Sequence, residues 1–405
     1  MALSFFIGAE QEGDMADQLK RRIGLGLLTA YGVGVMVGAG IYVLTGAVAG
    51  QAGVWAPWSF LLAGVIAAPT ALSYAEFSTR VPEAAGEAAY VRQGFGSEAL
   101  SILVGLAIVV AGSISAAAVL RGGAGYLLGL IDLPLALVLV AMGVLLVSVA
   151  IFGVLESLGL AALFTAIELV GLALVVWAGA SSEPVAAVAQ AVPYAGIGAG
   201  AILAFFAFIG FEDIVNMAEE VKNPSRTLPR AILASLVITS LLYAVVSWAA
   251  VRAVPVDVLS GSEQPLALVW SQATGGSGRF LSAIAVFAAL NGVLAQIVMA
   301  SRVLFGLGKS GGSLAVFRKS HPRFGTPVLA SLCVGSAVVL GAWLLPVGVL
   351  AEMTSTVLLA VFVLVNAALI VVKQRGEAGP FEVPLWVPYA GLLMAAGALI
   401  GGILG

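Results

Sequence analysis

Tyr31-Gly32-Val33-Gly34-Val35-Met36-Val37-Gly38-Ala39-Gly40-Ile41-Tyr42 is the stretch on which the reading of the chain turns. Four glycines fall within nine residues of an otherwise apolar run. Each costs about 1 kcal/mol relative to alanine inside a helix, so the cluster serves something other than helix stability. Gly34 and Gly38 form a small-xxx-small pair that would let two membrane helices approach closely. Gly38-Ala39-Gly40 lies at mid-run, where a break would turn freed backbone N–H groups into the protein. A dinucleotide fingerprint is excluded, because the spacing is wrong and no strand, helix and acidic residue of a soluble nucleotide-binding unit surround it.

Working outward from this run, no Asp, Glu, Lys or Arg occurs between Arg22 and Glu76, room for two membrane crossings turned at Gly53-Val54-Trp55-Ala56-Pro57. Charge-free stretches follow at 99–120, 133–155, 184–211, 231–251, 280–301, 324–351, 353–372 and 383–405. The stretch 157–182 joins them but for Glu168 at its middle. Eleven membrane helices are therefore expected. The strands of a membrane barrel would show short alternating segments instead. The whole composition agrees: of 405 residues 61% are hydrophobic and 10% charged, with a mean hydropathy of +1.11, far from an average soluble domain.

Eighteen basic against 21 acidic residues give a net charge of -3, which offers nucleic acid no basic surface. Cys333 and His321 are the single cysteine and histidine, so neither a disulfide framework nor a Cys/His metal site can be assembled within one chain, and no cofactor motif is found. The first ten residues make too short an apolar stretch for a signal peptide and are followed by Glu10, Glu12, Asp14 and Asp17, which reads as a cytoplasmic tail over 1–22. With that tail inside, fifteen basic residues fall in cytoplasmic loops and only Arg121, Arg252 and Arg279 on the other side. Positive residues favour the cytoplasm, so the N-terminus is expected inside and the C-terminus outside, in a multi-pass protein of the plasma membrane.

A second anomaly falls in the sixth span, Phe205-Phe206-Ala207-Phe208-Ile209-Gly210-Phe211-Glu212-Asp213. A glycine among bulky aromatics, followed at once by two acids, marks a helix interrupted before it has crossed. Interrupted helices at the start of two comparable five-helix halves are the pointer to an inverted-repeat transporter with its site near the midplane. The halves are 23–182 and 183–375, with 376–405 an additional C-terminal helix.

Gly34 to Gly46, Phe206 to Glu212, and Glu219-Glu220-Val221-Lys222-Asn223-Pro224 together resemble the amino acid-polyamine-organocation permeases, most of all their cationic-amino-acid-transporter-like branch. Leu72-Ser73-Tyr74-Ala75-Glu76, Ser301-Arg302-Val303-Leu304-Phe305 and His321-Pro322-Arg323-Phe324-Gly325-Thr326-Pro327 add to the likeness. The resemblance implies an all-α membrane protein of the leucine-transporter type, five plus five helices with the first and sixth broken, that acts as a secondary amino acid transporter. Two departures stand out. Such permeases usually have twelve spans, which leaves a family-type dimer contact open. Several relatives carry a lysine after a Phe-Thr-Ala-x step in the fifth span, where Phe164-Thr165-Ala166-Ile167 is here followed by Glu168.

A zwitterionic amino acid needs partners for a carboxylate and an ammonium. The half-helix restarting after Gly38 offers N–H donors and a positive dipole end to the carboxylate, from Val37, Gly38, Ala39 and Gly40. Carbonyls opened around Phe206, Ala207, Phe208 and Ile209 suit the ammonium. Phe208 is expected to cover the substrate, while Phe205 reads as core. With no acid at the pocket positions, a neutral amino acid is favoured; a cationic amino acid, a polyamine or an exchange mode is the alternative. Glu168 is the candidate coupling residue, for a proton in preference to sodium, because an intramembrane carboxyl is by default functional. Glu219, Glu220 and Lys222 to Arg230 read as a solvated loop, with an inner-gate latch as the rival. A channel would show a repeated polar filter, and a membrane enzyme a nucleophile and base, a metal cluster or paired catalytic acids; neither pattern appears.

Overall fold

A computed structural model describes residues 23–81, 86–152, 158–185, 192–309, 312–321 and 323–404. The tail assigned to 1–22 lies outside them, as do the side chains of Ala39, Glu219 and Glu220. The described chain is helical, with no strand among its described residues. The elements are α1 (Leu25–Ala52), α2 (Ala56–Arg80), α3 (Gly86–Phe95), α4 (Glu98–Leu128), α5 (Leu135–Phe152), α6 (Leu158–Ser181) and α7 (Tyr194–Phe205). After two 3-10 stretches, Phe206–Phe208 and Glu212–Glu220, come α8 (Pro224–Ala253), α9 (Val256–Ser260), α10 (Pro265–Thr274), α11 (Arg279–Lys309), α12 (Val328–Leu344), α13 (Val347–Gln374) and α14 (Trp386–Leu404).

Among the described residues eight stretches are long and apolar enough to cross a membrane, with Gly40–Arg80 counting as one because a single 3-10 turn joins its two helices. Three shorter apolar helices, Leu25–Gly38, Val328–Leu344 and Trp386–Gly402, fill the remaining charge-free stretches. The helix starts follow local chemistry. Proline opens α8 and α10, where its missing N–H is no loss, and the Ser97 hydroxyl caps α4 by accepting from the Leu100 N–H at 3.3 Å. Large apolar residues such as Leu103, Val144, Trp177 and Leu393 face outward, as lipid demands.

Inside, small residues let helices meet and buried polar groups tie them. Asn366 of α13 donates to the Thr70 hydroxyl at 2.9 Å and to the Phe362 carbonyl, while its Oδ1 accepts from Ser73 of α2 at 2.7 Å. Gly391 of α14 lies so close to Asn366 that a Cβ there would overlap its amide. One side chain thus joins three helices. Below it, Glu76 of α2 is fully buried and accepts from Arg80 Nε and Nη2 at 2.9 and 2.6 Å, from Lys373 Nζ of α13 at 2.9 Å, and from the Val383 N–H at 2.8 Å. A buried carboxylate without these donors would be strongly destabilising, so the cluster fastens the ends of α2 and α13 to the connection before α14.

Candidate functional site

α1 is broken where the glycine cluster lies. Gly38 adopts φ 20 and ψ -154, outside the helical region and difficult for any residue with a Cβ. A Cβ built there meets nothing within 4 Å, so the break opens onto free space. The second interruption lies across from it. α7 ends at Phe205, Phe206–Phe208 forms one 3-10 turn, Ile209 is extended at φ -59 and ψ 131, and Gly210 has φ 123. Glycine is required at 210 on a second count, since a Cβ would come within 2.7 Å of the Val35 side chain in α1. The Gly210 N–H, freed by the break, donates to Glu212 Oε2 at 2.9 Å.

The two interrupted helices touch. A Cβ at Gly40 would lie 3.2 Å from the Ala207 Cα and 3.9 Å from the Phe206 ring. Tyr243 of α8 ties them together: its hydroxyl lies 2.6 Å from the Met36 carbonyl oxygen and 2.8 Å from that of Ala207, sharing one proton between acceptors from the two broken helices. Val37, Gly38 and Gly40 are thereby brought beside Phe206 and Ala207. Phe208 is fully buried, with its ring edge-on to Tyr243 at 5.2 Å between centroids and close to Gly64 of α2. Phe205 packs edge-on against Phe362, as a core ring would.

Glu168 of α6 is 2% exposed, and neither carboxylate oxygen has a hydrogen-bond partner among the described residues. Tyr42 of α1 donates to the Glu168 backbone carbonyl at 3.0 Å, and the Tyr42 carbonyl accepts from Tyr126 of α4 at 2.7 Å. One turn earlier, Thr165 fills the space above Gly34. Gly34 of α1 therefore seats α6, and the Tyr42 contact sets Glu168 beside the second half of α1. Ile209 borders a cavity of about 30 Å³ shared with Glu87, Ser115, Glu212, Asp213 and Gln296.

Sequence reasoning missed Tyr243, Tyr42 and Glu87. A tyrosine in an apolar span carries no local sign of the carbonyl it will meet, and Glu87 lies in a connection that reads as solvated but folds inward as α3. No group of acids, histidines or cysteines among the described residues is placed to hold a metal ion.

A family model described as amino acid permease matches residues 23–403. The branched-chain amino acid permease BcaP of Bacillus subtilis is 30% identical over 387 residues, 88% of this chain and 82% of its own. Cationic amino acid transporter 9, chloroplastic, of Arabidopsis thaliana is 33% identical, covering 76% of this chain and 58% of its own. Cationic amino acid transporter 4 of Mus musculus is 31% identical, covering 91% and 62%. The chain thus spans less than two thirds of the length of the plant and mouse relatives.

Proposed function

The chain belongs to the amino acid permease family, and from that premise we propose that this multi-pass membrane protein is a secondary transporter that moves a neutral amino acid by alternating access. The observation that carries the reading is the pairing of two helix interruptions, at Gly38 and at Phe206–Gly210, held in register by Tyr243. The restarting half of α1 presents first-turn N–H groups and the positive end of its dipole to the substrate carboxylate beside Gly38. The backbone carbonyls of Phe206, Ala207 and Ile209 take the ammonium, the first two through the lone pair left beside their bonds to the Ile209 N–H and the Tyr243 hydroxyl. Phe208 swings from its seat on Tyr243 to cover the occupied site.

This reading places the site between two five-helix repeats, 23–182 and 183–375, of an eleven-helix bundle in the plasma membrane, with the N-terminus inside. Glu168 is the proposed coupling residue. Buried without a donor, its carboxyl suits the protonated state, and its ionisation would alter the relative stability of the two facing states. The BcaP relative supports a neutral substrate. A cationic substrate is the second reading, favoured by the acids that line the cavity next to Ile209.

The test is a screen of the amino acids for thermal stabilisation of the purified protein, followed by uptake of the best stabilisers into proteoliposomes. Saturable uptake of a branched-chain or other neutral amino acid supports the reading. Stabilisation by lysine or arginine alone selects the second, and stabilisation by none of them contradicts both.

A further inference from the structure

A second cavity, of about 290 Å³, lies at the C-terminal end of α4, bounded by the loop that joins α9 to α10, by α10 and by the start of α11. A water molecule occupies about 30 Å³, so a small solute fits there. Gln264 spans the floor. Its Nε2 donates to the Gly125 carbonyl at 3.1 Å and its Oε1 accepts from the Ser282 hydroxyl at 3.1 Å, so one side chain ties α4 to α11. Gly129 closes against that amide, which any Cβ at 129 would overlap.

Two opposite charges border this space, Glu263 and Arg279. The Glu263 carboxylate lies beside α4, since a Cβ built at Gly125 would be 3.6 Å from its Oε2. The Arg279 guanidinium donates through Nη2 to the Leu130 carbonyl at 3.3 Å. No ion pair joins the two to each other among the described residues. Their anchor points, Gly125 and Leu130, are separated by about 7 Å along a helix axis. An anion alone would face Glu263, and a cation alone would face Arg279. A molecule with an ammonium and a carboxylate on one carbon satisfies both, through a charge-assisted hydrogen bond of about 2.8 Å at each end. We propose that this cavity is a second amino acid site, in which Glu263 receives the ammonium and Arg279 the carboxylate. A phospholipid headgroup fits it less well, because Ala267 and Leu268 are the only large enough apolar side chains in the described lining to meet an acyl chain.

The segment that carries Glu263 rests on the restarting half of α1. The Leu266 N–H donates to the Tyr126 hydroxyl at 3.3 Å, which donates in turn to the Tyr42 carbonyl at 2.7 Å. A Cβ at Gly46 would come within 2.5 Å of the Leu259 carbonyl oxygen. A ligand that bridges Glu263 to Arg279 therefore fixes this segment between α1 and α11, and its binding biases whichever facing state holds the segment there. That the cavity opens to the outside rests on the orientation proposed above; its chemistry toward a zwitterion does not.

The test is protection of a thiol in the cavity from N-ethylmaleimide, in purified Ser271→Cys protein that also carries Cys333→Ser to remove the native thiol. The Ser271 hydroxyl lines the cavity but bonds to the Leu268 carbonyl of its own helix, so the exchange leaves both charges in place. Glycine is the probe, because recognition falls on the two charged groups it carries. At about ten times its half-protecting concentration it should slow labelling about tenfold, whereas methylamine and acetate at that concentration should leave the rate unchanged. Glu263→Gln and Arg279→Gln, both at exposed positions, should each abolish the protection, and Gly38→Ala should retain it. Labelling unaffected by glycine, protection by methylamine or acetate alone, or protection that survives both charge variants would overturn the proposal. So would protection by glycerophosphoethanolamine in place of glycine, which assigns the cavity to a lipid headgroup, or its loss in Gly38→Ala, which places its source at the central site. Because the thiol reports on this cavity, failure of amino acid uptake leaves a positive result standing, and failure here leaves the central site standing.

Discussion

Gly38 holds a backbone conformation, φ 20 and ψ -154, that costs a residue with a side chain about 1–3 kcal/mol. Its missing Cβ also faces open space, where the proposed carboxylate approaches. Gly38→Ala is therefore expected to leave the protein folded but to weaken substrate binding at least tenfold, about 1.4 kcal/mol, measured as loss of substrate-induced thermal stabilisation. Gly40→Val should behave differently. Its new side chain meets Ala207 and Phe206 first, so size-exclusion chromatography should report a folding defect alongside any loss of affinity. At Glu168 the two carboxylate oxygens have no donor among the described residues, and Glu168→Gln mimics the protonated acid. Substrate binding should persist while the pH dependence of uptake disappears; retained pH dependence would remove Glu168 from the coupling. For Phe208, the Trp variant should alter which substrate side-chain sizes are accepted, whereas unchanged selectivity would leave the ring as packing against Tyr243.

The two interrupted helices are held by one hydroxyl, so Tyr243→Phe isolates that tie without disturbing the aromatic contacts with Phe60 and Phe208. The Met36 and Ala207 carbonyls lose a donor, a cost of about 1–3 kcal/mol if they stay buried. A lowered Tm together with weaker substrate binding is expected; an unchanged Tm would mean the interruptions keep their register without it. Helix positions were legible because lipid leaves no alternative to long apolar helices, and the gaps between charges mark them. Gly38 and Gly210 were legible for a similar reason, since a glycine cluster in such a helix is costly unless the backbone needs it. The partner of each break was not. Tyr243 meets Met36 across 207 positions, and Tyr42 meets Glu168 across 126, pairings set by tertiary packing with no local signature. The inward fold of α3 escaped notice because a ten-residue helix with Glu87 and Arg92 has the composition of a surface connection.

For the molecule as a whole, Glu87 gives folding a pH dependence of definite sign. Its carboxyl is raised to about 7 in the folded protein against an ordinary 4.5. Its contribution is fully present below about pH 4.5 and declines as pH rises toward 7, with a total loss of about 3 kcal/mol. The Tm of the purified protein should fall between pH 5 and 8, and Glu87→Gln should flatten that slope. The buried Glu76 cluster supplies a separate anchor: Lys373→Met removes one of its donors and should lower the Tm at every pH, without altering the Glu87-dependent slope. These effects concern the frame, whereas transport depends on both helix interruptions meeting one substrate. Counterflow in proteoliposomes tests that most directly. Wild-type vesicles loaded with unlabelled amino acid should transiently accumulate the labelled one in a saturable manner, and Gly38→Ala vesicles at equal protein content should not. Absence of counterflow for every amino acid that stabilises the protein, or full counterflow in Gly38→Ala, would contradict the account.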